Sequence, residues 1–454
     1  MNDDDSLQLL RRLIWLYFWL LIFEGALRKW IFPQLSGALL IVRDPVALAI
    51  YLAALRKGVF PWTPFVWCVL GLATLCFAAS FAGEGTIAVT LYGLRADFLH
   101  LPLIVVIPRA MRPEDVKRLG FALLATLPFM TALAILQFKG SPESRWNVGA
   151  GAEIGGQLYA AQGKVRASGT FSFVTGMASY LALCAAFLLR GSSRSRIFPR
   201  WLTLTALPAF VLTLAISGSR SAVLVVGIVC TIMLYMGIRR PEEFGAAVRP
   251  MIFAIIAFLL MDLVTPLVRE GMAVQRNRFQ GGGGLKEGII YRYAQDFSYG
   301  WQALFRAPPL GIGLGIGTNA GSRLLAGRRM FILGESEWQR VIMESGPFLG
   351  TAYLALRIGT LIMIVVVSYR GFLNGQPLAM LLAGVSALDL INGQFGQPTA
   401  LGFAVFTSGL ALAAAAPDQN KAPPETPKLE VVKRPRGRSR YAERLHGSGN
   451  PTTA

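Results

Sequence analysis

The sequence predicts an all-α polytopic membrane protein with about 12 transmembrane helices, and three observations support this fold class. The 454 residues have a mean hydropathy of +0.51, with 54% hydrophobic and only 15% charged residues, which is too apolar for a soluble domain. Apolar runs of about 20 residues, the length that a spanning helix requires, recur along the chain. Lys and Arg concentrate in alternate connections between these runs, as they do in polytopic proteins.

The apolar runs set the order of the predicted helices. They lie at about 9–27, 33–55, 61–82, 88–107, 119–137, 170–190, 201–217, 221–238, 250–267, 346–368, 376–394 and 396–415. No small-residue cleavage site follows the first run, so we expect it to remain as a helix. An N-terminus in the cytoplasm places the most basic connections on that side, among them Arg56–Lys57, Arg109–Arg118 and Arg190–Arg200. Both termini are therefore predicted to be cytoplasmic.

The predicted organisation is a transmembrane domain over residues 1–415 followed by a tail. Two connections on the non-cytoplasmic side, at about 138–169 and 268–345, are too long for simple turns and favour a functional role. Residues 416–454 are rich in proline and charge, which predicts a disordered basic cytoplasmic tail. Its basic residues fit either contact with anionic lipid or a solvated chain end.

The second long connection is basic although it lies away from the cytoplasm. It carries ten Lys and Arg residues against six Asp and Glu residues, within a chain whose net charge is +19. Arginine presents a planar fork of donors that matches phosphate oxygens. An anionic ligand met at this face and attraction to anionic lipid headgroups both account for the excess of positive charge.

Ionisable residues also interrupt the apolar runs themselves. Arg28, Lys29 and Arg95 fall near the non-cytoplasmic ends of predicted helices, where a phosphate group can reach them. Arg43 and Asp44 stand side by side at a predicted helix break, and we expect them to neutralise each other. Charged groups inside a membrane are costly and therefore face the interior of a bundle or a wet cavity.

His100 is one of only two histidines in the chain. Its position beside a predicted span makes it a candidate proton carrier. A hydrogen-bonded structural histidine explains the same position, and the sequence favours this second interpretation.

The stretch "PPLGIGLGIG" places four alternate glycines at positions 311, 313, 315 and 317. This spacing departs from the GxGxxG pattern of dinucleotide sites, and no strand–helix unit surrounds it. Alternate glycines allow positive φ angles and a close approach of the backbone to a bulky partner. The run therefore predicts close packing beside a ligand at the membrane surface.

Four stretches in this order resemble the O-antigen ligase and O-antigen polymerase family. They are "VRASGTF" at 165–171, "SGSRSAVLVV" at 217–226, "YRYAQDFSYGWQALFRAPPLGIGLG" at 291–315 and "ESEWQRVIMESGPFLG" at 335–350. The resemblance implies a GT-C-like glycosyltransferase fold in the bacterial inner membrane. It also implies a periplasmic long loop and the polymerisation or ligation of polyprenyl-diphosphate-linked oligosaccharides into O-antigen or exopolysaccharide.

The resemblance also implies which residues form the site. Arg220 and Arg292 match the two arginines of the family that engage the donor diphosphate. Arg166 in the first stretch, together with Arg95 and Arg28 near the same face, completes the predicted diphosphate-binding set.

The general base is predicted among the glutamates near the last stretch. The family commonly has a His–Asn pair where this chain has Glu335–Ser336, which favours polymerase over ligase activity. Glu335 and Glu337 are the first candidates to take the proton of an acceptor hydroxyl, with Glu344 next. Glu337 and Glu344 also lie within one helical turn of Arg340, so structural ion pairs are the alternative interpretation.

The family implies a reaction without a metal ion, a nucleotide-sugar donor or another cofactor. Its expected partners are a polyprenyl-diphosphate-linked glycan donor, a glycan acceptor and the lipid bilayer, with a chain-length regulator as a further candidate and no nucleic acid. A membrane transporter or flippase of lipid-linked oligosaccharide is the alternative function. The break before Pro45 favours the transporter, whereas the long 268–345 connection favours the enzyme.

Overall fold

The computed structural model describes residues 7–154, 157, 159–191, 197–281, 291–326, 333 and 336–417. These residues form an α-helical bundle. The β pairing within the described residues consists of one isolated antiparallel bridge between Tyr159 and Val165. The all-α prediction is therefore confirmed for the described chain. Residues 418–454 of the predicted tail lie outside it.

The first half of the bundle contains seven α-helices among the described residues. They are α1 (Gln8–Ala26), α2 (Arg43–Arg56), α3 (Pro64–Ala79), α4 (Ile87–Leu94), α5 (Leu103–Ala110), α6 (Pro113–Lys139) and α7 (Val174–Gly191). Short 3-10 turns lie at Pro33–Leu35, Ala38–Ile41 and Ser80–Ala82. π-helical turns follow α1 at Leu27–Ile31 and α4 at Arg95–Leu99, and such turns are frequent at functional sites.

The second half contributes nine further α-helices to the described chain. They are α8 (Arg200–Ile216), α9 (Arg220–Arg239), α10 (Pro241–Val264), α11 (Pro266–Gln280), α12 (Arg292–Arg306), α13 (Asn319–Ala326), α14 (Glu337–Leu373), α15 (Pro377–Asn392) and α16 (Pro398–Ala414). Helix α14 is kinked at Gly346, whose φ of 80° breaks the helix immediately before Pro347.

Six helical segments of the described chain are long and apolar enough to cross a membrane, and the number reaches eight if each of two bent pairs is one span. One bent pair joins Ile87–Leu99 to Leu103–Ala110 at 45°, and the other joins Val248–Val264 to Pro266–Gln280 at 108°. Three shorter apolar helices, α8, α15 and α16, accompany them. The structure thus supports a membrane protein, and the number 12 stays a prediction.

Helix α7 lies at the centre of the bundle, because small and large apolar residues alternate around it without a polar face. In its most apolar window 83% of the residues are buried, and it packs against α6, α8, α9, α15 and α16. Helices α8 and α10 instead expose apolar side chains outward, with Leu204 at 73% and Val264 at 80% exposure. Outward apolar surface of this kind suits contact with lipid.

The glycine run of residues 311–317 lets the backbone pack closely against neighbouring elements of the protein. A Cβ at Gly315, where φ is 85°, would come within 2.3 Å of the Val89 carbonyl oxygen. The amide of Gly313 donates to the Glu344 carbonyl at 3.0 Å, next to the kink of α14. Glycine is required here because two elements approach the backbone from opposite sides. The close backbone approach that the glycine spacing predicts is present, but the structure shows it against the protein itself, whereas the sequence led us to expect a ligand.

Buried contacts bring several connections to one end of the bundle, which we call the loop end. Lys29 donates to Ser168 Oγ at 2.8 Å, and Thr175 donates to the side-chain oxygen of Gln397 at 3.1 Å. Gly396 in turn packs against Thr318, just after the glycine run. The ends of α1, α7, α15 and α16 therefore meet the two long connections in one region.

Candidate functional site

A large apolar cavity lies between α7, α8, α9 and α10. Its volume is about 1290 Å³, which exceeds the range of roughly 300–1,000 Å³ common for small-molecule pockets. Apolar residues of the four helices line it: Ala185, Leu188, Leu189, Leu207, Phe210, Val211, Leu214, Ala215, Val223, Val226, Cys230, Met251, Ala254, Ile255 and Phe258. A cavity of this size and character suits a long hydrocarbon chain better than a polar solute.

Helix α11 closes one side of this cavity and supplies its polar groups. The helix turns away from α10 by 108° and packs against α8, where a Cβ at Gly271 would lie 2.7 Å from the Ala215 carbonyl oxygen. Arg269, Gln275 and Arg276 line the cavity from this side. An amphipathic ligand can therefore place its chain between the helices and its polar part against α11.

Three arginines gather at the turn between α8 and α9, which we call the arginine turn (residues 217–220 with Arg166 and Arg278). Gly218 has a φ of 59°, and a Cβ there would lie 3.7 Å from Arg166 Cγ. Arg278 on α11 donates to the Gly218 carbonyl oxygen. Arg220, which begins α9, is half-buried beside them.

The local sequence explains how this turn holds its shape. Ser219 caps α9 by accepting a hydrogen bond from the Ala222 amide at 3.3 Å. Arg220 then precedes Val223 by three residues, so it lies on the helical face whose next turn lines the cavity. Positive charge and the apolar cavity are therefore adjacent, which is the arrangement that an anionic lipid requires.

The structure brings together two of the five predicted diphosphate ligands, Arg166 and Arg220. Arg292 begins α12, and its side chain lies outside the described part of the chain. Glu335 also lies outside the described residues. The roles assigned to Arg292 and Glu335 therefore stay predictions.

Arg28 and Arg95 lie in buried ion pairs at the loop end. Arg95 makes two hydrogen bonds to the Asp44 carboxylate, at 2.7 and 3.0 Å. Arg28 lies 3.4 Å from Glu24 and donates to the Ser36 carbonyl at 2.9 Å. Because carboxylates already neutralise both side chains, a diphosphate would have to displace these partners to bind there.

The expected mutual pairing of Arg43 and Asp44 is wrong. Arg43 pairs with Glu24 at 2.9 Å, whereas Asp44 pairs with Arg95 at 2.7 Å. Consecutive residues of a helix point in directions about 100° apart, so each of the two meets a different neighbour. The sequence correctly indicated that both charges are neutralised within the bundle, but it could not indicate the partners.

His100 is a buried, hydrogen-bonded histidine, as the favoured interpretation of the sequence expected. Its Nε2 lies 3.0 Å from Asp44 Oδ1, and its Nδ1 lies 3.1 Å from the Tyr17 hydroxyl. Both ring nitrogens are thus engaged by neighbours from α1 and α2. These bonds orient the ring and account for its burial.

A second charged cluster surrounds Arg340 at the start of α14. Arg340 contacts the carboxylates of Asp97, Glu337 and Glu344 at 2.8, 2.9 and 2.7 Å. Arg357, which lies on the same helix after the kink at Gly346, pairs with Glu337 at 2.8 Å. The structural pairing that the sequence offered as an alternative for Glu337 and Glu344 is therefore present.

Two contributors to these sites were missed in the sequence. Arg357 interrupts an apolar run, which was the available signal, and it is only 1% exposed in the structure. Gln275 gave no signal, because an amide in a polar stretch is unremarkable until the fold places it against an apolar cavity. Its burial follows from the sharp turn between α10 and α11.

The fold and the cavity define an α-helical membrane protein with an apolar cavity beside an arginine cluster. Comparisons with protein-family models and with curated proteins find no match for this chain.

Proposed function

We propose that this protein is a metal-independent glycosyltransferase that polymerises or ligates oligosaccharides carried on polyprenyl diphosphate, at the periplasmic face of a bacterial inner membrane. One observation carries the proposal: the 1290 Å³ apolar cavity lies beside the arginine turn. A polyprenyl diphosphate combines the two matching parts, a long apolar chain and a compact anionic group. The proposed fold is GT-C-like with 12 spans.

The chemistry proposed for this site is a substitution at the anomeric carbon of the donor glycan. The acceptor hydroxyl oxygen forms the new bond to that carbon, and the bond from the carbon to the diphosphate oxygen breaks. The electron pair leaves with the diphosphate, so negative charge grows beside Arg220 and Arg166. Fixed cations at that position stabilise the transition state, which is often the largest single catalytic contribution.

The acceptor hydroxyl loses its proton in this reaction, and Glu335 is the base we propose. Glu337 accepts hydrogen bonds from Arg340, from Arg357 and from the Phe395 amide at 3.2 Å. A carboxylate held by two guanidinium groups is a weak proton acceptor. Glu335 immediately precedes Ser336, the cap of α14, and stands in the sequence where the family that this chain resembles has its histidine.

A transporter or flippase of lipid-linked oligosaccharide is the second candidate. The span Ile87–Ala110 favours it, because this span is bent by 45° and carries the buried Arg95, Asp97 and His100 at its break. Broken helices with ionisable groups mark many transport sites. Both candidates require the protein to bind the same lipid, and they differ in whether a glycosidic bond forms.

The two functions separate in one experiment with the purified protein in liposomes. Polyprenyl-diphosphate oligosaccharide is supplied on the accessible side, and glycan length, released polyprenyl diphosphate and lipid movement between leaflets are followed. Longer glycans with stoichiometric release of polyprenyl diphosphate support the transferase. Lipid movement without elongation supports the transporter, and neither signal with correctly oriented, folded protein overturns the proposal.

A further inference from the structure

Gln275 is the one buried side chain of the cavity wall, among the described residues, whose polar atoms lack a hydrogen-bond partner. Its side chain is only 4% exposed, and neither its amide nitrogen Nε2 nor its oxygen Oε1 has a hydrogen-bond partner among the described residues. A buried amide without partners costs free energy relative to one that is hydrogen-bonded. A ligand that satisfies this amide recovers that free energy on binding.

The amide also restricts which ligand group can satisfy it. Gln275 offers two N–H donors and one carbonyl acceptor. A hydrocarbon chain satisfies neither, and a diphosphate whose oxygens are ionised satisfies only the donors. A sugar hydroxyl or an acetamido group both donates and accepts, so it can form hydrogen bonds with the N–H donors and with the carbonyl acceptor of Gln275.

The position of Gln275 places such a group next to the diphosphate. Val274, the preceding residue, lies 3.9 Å from a Cβ placed at Gly218, and Arg278, three residues later, donates to the Gly218 carbonyl. Gln275 therefore projects from the turn of α11 that contacts the arginine turn. In a lipid-linked glycan, the first sugar is bonded directly to the diphosphate.

We propose that Gln275 is a specificity-determining residue. It recognises the first sugar of a polyprenyl-diphosphate-linked glycan whose lipid chain is held in the cavity that α11 closes on one side. This inference rests on the proposed function for the identity of the lipid. It adds that the protein distinguishes a loaded carrier from the bare polyprenyl diphosphate that the reaction releases. Such a preference lets spent carrier leave a site that its apolar chain would otherwise continue to occupy.

The test compares two lipids and three proteins in detergent micelles. Equilibrium binding is measured for polyprenyl diphosphate and for the same lipid bearing one N-acetylhexosamine. The wild-type protein should bind the sugar-bearing lipid roughly tenfold or more tightly, since about 1.4 kcal/mol corresponds to tenfold. Gln275→Leu should lower this ratio to near one by weakening only the sugar-bearing lipid, and the bare lipid should bind at least as well as before.

Gln302→Leu is the matched control, because Gln302 is an exposed glutamine on α12 whose side-chain amide donates to Ser298 Oγ on the same helix at 3.4 Å. It should keep the wild-type ratio. Gln275→Asn retains an amide and should preserve part of the preference, which separates recognition from a loss of fold. An unchanged ratio in Gln275→Leu, or a wild-type protein that does not prefer the sugar-bearing lipid, overturns the inference.

The elongation assay distinguishes failure of this inference from failure of the proposed function. A wild-type protein that elongates glycans while Gln275→Leu keeps full lipid selectivity contradicts only the role of Gln275. Selective binding that depends on Gln275, without any elongation by the wild type, supports the inference and contradicts the transferase.

Discussion

Arg340 on α14 and Asp97 on the π-helical turn after α4 form a buried ion pair, with 2.8 Å between Nη2 and Oδ1, across 243 residues of chain. Glu337 and Glu344 occupy the other donors of the same guanidinium. Arg340 thus joins the start of α14 to the broken span of α4 and α5. Its loss would leave three buried carboxylates without this common partner.

Arg340→Met is therefore expected to destabilise the folded protein by about 3–5 kcal/mol, the usual cost of breaking a buried ion pair from one side. The measurement is thermal unfolding in detergent, in which the fraction of protein that stays monodisperse is determined after heating to a series of temperatures. Arg323→Met is the control, since Arg323 on α13 is exposed and its replacement should change stability by less than about 0.5 kcal/mol. Equal melting temperatures for the two variants would contradict the role of Arg340.

The glycine run yields a prediction that separates backbone strain from close packing. Gly315→Ala should lower stability by roughly 2 kcal/mol or more, because φ is 85° and the added Cβ would meet the Val89 carbonyl at 2.3 Å. Gly375 has the same φ of 85° with no atom within 4 Å of the Cβ position. Gly375→Ala should therefore cost only the conformational term of about 1–2 kcal/mol. Similar losses in both variants would show that the packing around residue 315 is looser than the structure indicates.

The sequence predicted the parts of this fold that depend on local composition. Apolar runs gave the helices, and the glycine spacing gave a place of close backbone approach. Partners across the bundle were not accessible, as Arg43 illustrates: its neighbour in sequence is Asp44, but the fold supplies Glu24. Ion-pair choice depends on helix rotation and on contacts that are distant in sequence, which no local pattern encodes.

The candidate site also contains residues that the sequence predicted and residues that it did not. Arg220 and Arg166 were predicted from short stretches, and the fold does place them beside one turn at Gly218. The apolar cavity and Gln275 were not predicted, because they arise from the 108° turn between α10 and α11. A turn angle of this kind depends on how α11 packs against α8 and cannot be inferred from residue periodicity.

The arginine turn is tested through the activity of variants at its centre. Arg220→Ala should lower the rate of glycan elongation by roughly 10²–10³-fold, as expected when one preorganised donor to a developing anion is removed. Arg292→Ala is expected to have an effect of similar size if the second predicted arginine serves the same diphosphate. Both variants should remain folded and inserted, and for Arg220 this follows from its half-buried position.

Arg239→Ala is the matched control for this prediction. Arg239 ends the same helix that Arg220 begins, roughly 30 Å away along the helix, where it donates to the Tyr369 hydroxyl at 3.1 Å. Elongation by this variant should equal that of the wild type. Full activity of Arg220→Ala, or an equal loss in Arg239→Ala, would remove the arginine turn from the proposed mechanism.

The proposed role of the cavity in binding a lipid chain is tested by placing a larger side chain in it from α10. Ala254 lines the cavity, whereas Ile256, two residues later on α10, is 45% exposed and does not. Ala254→Trp should therefore occupy part of the space that the proposed lipid chain needs, and weaken binding of polyprenyl diphosphate about tenfold while Ile256→Trp leaves it unchanged. The loss should grow with the length of the polyprenyl chain, because only a long chain reaches the occupied part of the cavity. Binding that falls equally for short-chain and long-chain diphosphates would instead locate the effect of Ala254→Trp in the polar part of the site, and would contradict a hydrocarbon chain between α8, α9 and α10.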